Sequence, residues 1–179
     1  MGGRSLHSVD DRRQRFEAQA LPHLDAAYNL ARWLSRSPAD ADDIVQDAML
    51  RAFRAFDGFR GGDIKAWLLT IVRNCSRTAG SDIRRRGHTP LPEDDRNALV
   101  APEASPEAFA AQASESRRLE VAMALLPQEF RDVLILREIE DLSYREIAAV
   151  TGAPIGTVMS RLARGRALLK QIWLAETGA

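Results

Sequence analysis

Three arginines, Arg161, Arg164 and Arg166, stand close to Thr157 and Ser160 near the C-terminus. A guanidinium pairs with guanine edges or with phosphates, and a hydroxyl suits either, so this set has the chemistry of duplex-DNA recognition. The residues before it supply a way to present them. Ser143 followed by Glu146 has the spacing of a capping box at a helix start. Ile147 and the small Ala148 are expected to pack inward. Thr151-Gly152 then ends the helix at a residue that tolerates positive φ. Pro154 opens a second helix in which Ile155, Val158 and Leu162 point to the core. Thr157, Ser160, Arg161 and Arg164 are left to face outward. A short helix, a glycine turn and a basic helix make a helix-turn-helix that reads DNA. The alternative is an amphipathic hairpin with a solvated Arg face. Cap, turn and basic face agree on DNA.

Other chemistry is harder to place. The chain has no phosphate-binding glycine loop, no His-Glu-x-x-His and no Cys-x-x-Cys. His7, His23 and His88 are scattered and read as surface residues rather than ligands. The expectation is a non-enzyme with no cofactor and no metal. The single cysteine, Cys75, excludes an internal disulfide and fits a reducing compartment. It reads as a small helix residue, with redox sensing as the alternative.

The 179 residues suit one large or two small domains, and hydrophobic content, at 45%, is ordinary for a globular protein. The most apolar stretch, Ala66 to Val72, is far too short to span a bilayer. The N-terminal Met-Gly-Gly-Arg-Ser-Leu has no apolar signal region, and Leu6 stands where a myristoylation motif needs Ser or Thr. These features point to a cytoplasmic protein. Net charge is zero but unevenly placed: residues 1–88 carry +4 and residues 89–120 carry −4. Within 143–172, Arg145, Arg161, Arg164, Arg166 and Lys170 face Glu146 alone, again +4. Two basic patches flank an acidic middle, as in a nucleic-acid binder that keeps its cations local. Charge alone would favour the plainer reading, a pair of solvated helix faces.

Nearly every segment has helical periodicity, and sustained alternation is absent, so the fold class is all-α. Residues 10–36 form a first helical region, with Leu21-Pro22 as a break or start. Leu24, Ala27, Tyr28, Ala31 and Leu34 recur there at helical spacing. Ser37-Pro38 punctuates it. A second helix begins near Asp40, whose carboxylate suits an N-cap. Its buried stripe is Ile44, Val45, Ala48, Met49, Ala52, Phe53 and Phe56. Gly58, Gly61 and Gly62 make a loop. A third helix starts near Asp63, with Leu68 and Ile71 as core and Trp67 partly so. It ends in Arg84-Arg85-Arg86 capped by Gly87, with Gly80 marking a weak point. Residues 87–106, with four prolines and Glu93-Asp94-Asp95, read as a flexible acidic linker. Four helices follow, over about 107–125, 127–139, 143–150 and 154–173. Two small helical domains are expected, 10–86 and 107–174.

The helix-turn-helix alone does not choose between a sigma factor and a response-regulator output domain. Its surroundings do. Leu126-Pro127-Gln128-Glu129-Phe130-Arg131-Asp132-Val133-Leu134 resembles the start of sigma region 4, and Gly156 to Arg166 resembles that region's recognition helix. The family often carries Arg where this chain has Met159, and a larger residue than Ala163. Asp42-Asp43-Ile44-Val45-Gln46-Asp47-Ala48-Met49-Leu50-Arg51-Ala52-Phe53 resembles sigma region 2.2. Phe56 to Arg60 and Lys65 to Asn74 resemble regions 2.3 and 2.4. Both resemblances occur in the expected order with no further domain between them, as in the bacterial extracytoplasmic-function (ECF) sigma factors.

That resemblance implies a subunit that directs core RNA polymerase to promoters and helps melt them. Thr157, Met159, Ser160, Arg161, Arg164 and Arg166 are then the contacts to duplex −35 DNA. Ser160 and Arg164 would touch bases, and Arg161 and Arg166 mainly phosphates. Phe59, Arg60, Lys65, Trp67, Arg73, Asn74 and Arg77 would capture the −10 element as a single strand, which needs rings for stacking and cations for phosphate. Asp43, Gln46, Asp47, Leu50 and Arg51 would meet the polymerase, with Asp43, Gln46 and Asp47 pairing with arginines on a partner helix; as an alternative, the acids are a solvated first turn favoured by the helix dipole. An anti-sigma factor is the implied inhibitor, and the acidic linker would run near the polymerase's RNA path by charge mimicry. No membrane insertion and no small-molecule substrate are expected. Two other functions fit less well. A duplex-DNA regulator without polymerase lacks a receiver domain here, and a sigma-mimicking decoy would have no need of DNA-reading arginines.

Overall fold

The computed structural model describes residues 3–35, 37–86 and 106–177, with side chains over 10–35, 37–79 and 115–175. No strand occurs among the described residues. The chain forms two compact units. The first carries α1 (Gly3–Ala20), α2 (Leu24–Leu34), α3 (Pro38–Ala55) and α4 (Ile64–Arg86). The second carries α5 (Pro106–Leu125), α6 (Gln128–Leu134), α8 (Ile155–Thr177) and the start of α7 (Tyr144–Thr151).

In the first unit α2, α3 and α4 pack against one another in all three pairings. Small residues on the facing stripes allow the approach: Ala27 and Ala31 on α2, and Ala41, Ala48 and Ala52 on α3, are buried. Leu30, Ile44, Leu68, Leu69 and Val72 fill the space between. α1 adds Phe16, whose ring meets those of Phe53 and Phe56 edge-on at 5.3 Å each, a favoured aromatic geometry. Arg12 lies over Phe53 and donates to the carbonyls of Phe53 at 2.6 Å and Arg54 at 3.1 Å. It thereby adds a second donor to the Phe53 carbonyl, which the Phe56 amide already reaches at the end of α3.

Local signals account for most of the helix ends. Leu21–His23 is a single 3₁₀ turn, where Pro22 interrupts α1 before α2. The N-cap of α3 is Ser37 rather than Asp40: its Oγ accepts from the Asp40 amide at 3.1 Å, and Pro38 follows in the first turn. α4 starts beside Asp63 as expected, and Asp63 caps it, accepting from the Ala66 amide at 2.8 Å. Gly80 does not break α4, which runs on to Arg86; one glycine costs a long helix only about 1 kcal/mol. In α2, Leu24 and Tyr28 are exposed and Leu30 is the large core residue instead. In α4 the core pair is Leu68 and Leu69, and Ile71 is half-buried. The proposed Gly87 cap and the linker up to residue 105 lie outside the described residues.

In the second unit α8 packs on α5 and α6. Ala122, Met123, Leu126, Val133, Leu134, Ile135, Leu136, Val158 and Leu162 are buried. Arg131 donates to the carbonyls of Ala124 at 2.7 Å and Leu126 at 2.9 Å, which fastens α6 to the end of α5. Burial lowers its pKa from the usual arginine value, and neighbouring Asp132 opposes that. α6 widens into a π-helical turn over Ile135–Ile139. The chain then reverses at Asp141, at φ +52°, a conformation that Asp tolerates better than most residues.

Candidate nucleic-acid interface

α7 begins with the capping box that the spacing of Ser143 and Glu146 implies. The Ser143 amide donates to Glu146 Oε2 at 2.6 Å, and the Glu146 amide donates to Ser143 Oγ at 3.3 Å. Gly152, at φ +68°, makes the turn, and the Val158 amide donates to the Pro154 carbonyl at 3.0 Å to start α8. Ile147, Val158 and Leu162 are buried as expected, whereas Ala148 is half-buried and Ile155 is 43% exposed. Ile155 falls in the first turn of α8, about 60° round the helix from Val158, so it sits at the edge of the buried stripe rather than on it.

Stepping 100° per residue along α8 places Val158, Leu162 and the buried Gly165 on the inner side. Ser160, Ala163 and Arg164 lie opposite and are exposed, with Met159 at 53% exposure beside them. Ser160 Oγ donates back to the Thr157 carbonyl at 3.0 Å, and Thr157 is half-buried. Arg161 and Arg166 flank the inner stripe on its two sides. Each is paired with a carboxylate from the helix beneath: Arg161 with Glu129 at 3.1 Å, and Arg166 with Glu138 at 2.6 Å. Arg164 makes no ion pair among the described residues. The six residues proposed for duplex contact therefore lie on one helix but in two electrostatic states. Summing charge over 143–172 missed this, because Glu129 and Glu138 lie outside that window.

The first unit holds the second set. Positive φ at Gly61 and Gly62, +90° and +106°, shapes the loop ahead of α4. Here the rings of Phe59 and Trp67 meet at 5.1 Å, tilted by 44°. Both residues are half-buried, so each ring keeps some open surface. Asn74 lies seven residues after Trp67, almost in line along α4, and Arg77 follows three residues later. Both are exposed, as is Arg60. Lys65 lies on nearly the opposite side of α4 from Trp67, and Arg73 is buried. The rings thus share a side of α4 with Asn74 and Arg77, and not with Lys65 or Arg73.

On α3, Asp43, Gln46 and Leu50 occupy the outward face, opposite the buried Ala48, and Leu50 is 52% exposed. Asp47 lies to one side and is half-buried. It pairs with Arg51 at 2.9 Å and lies beside the buried Cys75 thiol. The Arg51 hydrogen bond is the main reason its carboxyl sits below the usual range, with partial burial opposing and the Cys75 thiol assisting. Burial first, and the Asp47 charge second, push the Cys75 thiol up to about 11. That places Cys75 among inert core thiols rather than reactive ones. Asp43 and Asp47, alike in sequence, are thus unlike in place: one faces solvent, the other holds two neighbours.

No helix among the described residues is long and apolar enough to cross a membrane, and no group of His, Cys, Asp and Glu side chains among them could hold a metal ion.

Residues 20–88 match the Sigma-70 region 2 family, and residues 116–169 match Sigma-70, region 4. The chain is 38% identical over 152 residues to the ECF RNA polymerase sigma factor SigE of Mycolicibacterium smegmatis, covering 83% of this chain and 57% of that protein. It is 34% identical over 140 residues to the ECF RNA polymerase sigma factor EcfG of Rhodopseudomonas palustris, covering 78% of this chain and 74% of EcfG. The ECF RNA polymerase sigma-E factor of Escherichia coli K12 is 35% identical over 138 residues, with 71% and 70% covered. The chain thus spans little more than half of SigE and about seven-tenths of the other two. Among solved structures it is similar to the sigma factor RpoE of Bartonella quintana in complex with the anti-sigma factor NepR. There the TM-score is 0.70 at 28% identity, covering 89% of this chain and 96% of that one. CnrH, in complex with the cytosolic domain of CnrY, gives 0.67 at 27% identity, covering 91% and 90%.

Proposed function

The chain belongs to the sigma-70 family, in its ECF class, and we propose that it is the subunit that brings core RNA polymerase to a set of promoters and helps open them. Sigma factors are transcription initiation factors, and nothing in this reading asks the chain for catalysis. Its two domains correspond to residues 10–86 and 107–174, joined by the acidic segment between them. The observation that carries the proposal is the capped helix-turn-helix that turns Ser160 and Arg164 outward on α8. A single helix of this kind fits the major groove of duplex DNA. The Phe59–Trp67 pair, with Asn74 and Arg77 farther along α4, supplies rings and polar groups for an unpaired −10 strand. Asp43, Gln46 and Leu50 present acid, amide and an apolar side chain on one face, which suits a helical partner on the polymerase. An anti-sigma partner would silence the protein by covering these faces; the similar Bartonella sigma factor is seen in complex with the anti-sigma factor NepR.

Reconstitution with core polymerase tests the division of labour. Arg164→Ala should cost about 1–3 kcal/mol at a duplex −35 site and relax preference at one or two positions. It should leave opening of a template with a premelted −10 bubble nearly intact. Asn74→Ala should do the reverse. Permanganate footprinting on paired and premelted templates separates the two. Arg164→Ala failing equally on both templates, or Asn74→Ala on neither, would overturn the assignment.

A further inference from the structure

α8 offers one open arginine and two closed ones. Arg164 has no ion-pair partner among the described residues, whereas Arg161 and Arg166 reach back to Glu129 and Glu138, from α6 and from the π-helical turn that follows it. The Arg166 pair is the tighter. Glu138 Oε1 accepts from both Nε and Nη2, at 3.0 and 2.6 Å, which occupies one whole edge of the guanidinium. A phosphate approaching side-on uses such an edge. Arg161 gives Nη2 to Glu129 Oε2 at 3.1 Å and is itself only 27% exposed. Both pairs join helices of the same unit, so each arginine is held whenever that unit is folded.

We propose that Glu129 and Glu138 act as built-in phosphate surrogates that neutralise Arg161 and Arg166 and so hold down sequence-independent DNA binding, leaving Arg164 to set specificity. The inference rests on the reading of α8 as the DNA-contacting helix. Non-specific affinity comes almost wholly from neutralised phosphates, and each one changes the slope of log K against log salt by about 0.9. An arginine already paired with a carboxylate brings no net charge to that interface. Arg164 is spared, so base discrimination survives while the general attraction falls. Solvent-exposed pairs are weak, shifting an equilibrium by about two- to five-fold at most, so cognate DNA with well-placed phosphates can still displace the carboxylates. The pairs bias the choice of DNA without locking the helix.

The test titrates the full chain with a promoter-free duplex and with a duplex carrying its −35 site, across a range of salt. Glu129→Gln and Glu138→Gln keep the side-chain shape and remove the charge. Each should tighten promoter-free binding about two- to five-fold at low salt and steepen the salt slope by up to about one. The ratio of cognate to non-cognate affinity should fall. Glu17→Gln on α1, with the same change in net charge, should do neither. Adding Arg166→Gln to Glu138→Gln should return the affinity to wild type or below. Unchanged or weaker binding in both single variants overturns the inference, since the glutamates would then be idle or would merely orient the arginines. Retention of the gain in the double variant overturns it too, because net charge is then that of wild type and Arg166 is gone, so the gain would come from losing the glutamate itself and not from freeing the arginine; a gain in Glu17→Gln would make the effect one of overall charge. If wild type binds neither duplex and Arg164→Ala changes nothing at promoters, the reading of α8 itself falls, and this inference with it.

Discussion

Gly165→Val probes how the recognition helix is seated. α8 passes so close to α6 at this point that a Cβ on residue 165 would lie 3.2 Å from Leu134 Cδ1 and 3.3 Å from Phe130 Cβ. Unstrained carbon contacts fall at about 3.5–4.0 Å. The Leu134 methyl can swing aside, but Phe130 Cβ is tied to the α6 backbone. For alanine, the crowding offsets a helix-propensity gain of about 1 kcal/mol, so Gly165→Ala should stay within about 1 kcal/mol of wild type. Valine adds two methyls in the same gap, and its β-branching gives back most of the propensity gain. Overpacking of this kind costs about 1–3 kcal/mol, so a loss of about 2 kcal/mol is expected for the second unit. Amide exchange at the buried Val158 and Leu162 reads that unit by itself, whereas a global melt mixes both units. A loss of 2 kcal/mol corresponds to exchange about 30-fold faster when global opening governs it. Duplex −35 affinity should fall in the same order, wild type and alanine above valine. Wild-type protection in the valine variant would refute the close approach of α6 and α8, and with it the account of how Arg161 and Arg166 reach their glutamates.

Two further outcomes follow from the first unit. With its thiol pushed up to about 11 from an ordinary value of 9.0, Cys75 should react with iodoacetamide at pH 8 about 100-fold more slowly folded than unfolded, on thiolate fraction alone. Because the folded value is the higher one, the thiol's contribution to stability is intact below pH 9 and declines as pH rises toward 11. Equal alkylation rates in the two states would contradict the burial. Asp43→Arg and Leu50→Glu should each weaken core-polymerase binding by about tenfold or more with helicity unchanged, as at the centre of a partner contact. Unchanged affinity in a direct binding assay would leave Asp43 as a helix-start acid and nothing more.

What the sequence shows well is whatever depends on near neighbours. The Ser143–Glu146 box, the Gly152 turn, the helix start at Asp63 and most of the stripe on α3 rest on residues a few positions apart, and the structure contains them, although Met49 and Phe53, expected in that stripe, are half-buried. The all-helical class follows from the same periodicity. Errors appear where two local signals compete. Ser37 and Asp40 are both good N-caps, and the proline between them favours the earlier one by sitting well in a first turn. What periodicity cannot show is the partner across the core. Nothing near Arg161 or Arg166 in sequence points to Glu129 or Glu138. Nothing around Asp47 points to Cys75, almost thirty residues away. The mid-helix glycine at 165 was the one local sign of a close crossing, because an uncompensated glycine there would only weaken α8.

The fate of the arginines explains how a chain of zero net charge can bind a polyanion at all. Some arginines are spent inside the fold. Arg12, Arg131 and Arg137 each donate to backbone carbonyls in or just past the end of a helix or helical turn, those of Phe53, Leu126 and Leu142 among them. A carbonyl oxygen near a helix end has a lone pair to spare, even where, as at Phe53, an amide already donates to it, and a guanidinium with several donors is well suited to take it up. Arg51, Arg161 and Arg166 are balanced by Asp47, Glu129 and Glu138. None of these six brings an unopposed charge to DNA. On the proposed reading the exposed cations Arg60, Arg77 and Arg164 would, and they fall at the loop before α4, along α4 and on the open face of α8. Counted over the whole chain, positive charge predicts no DNA binding. After helix ends and ion pairs have taken their share, exposed arginines still stand along α4 beyond the Phe59–Trp67 pair and beside Ser160 on α8. An added lysine elsewhere on the surface would strengthen attraction to DNA without regard to sequence, and the pairing of Arg161 and Arg166 keeps that same indiscriminate attraction low.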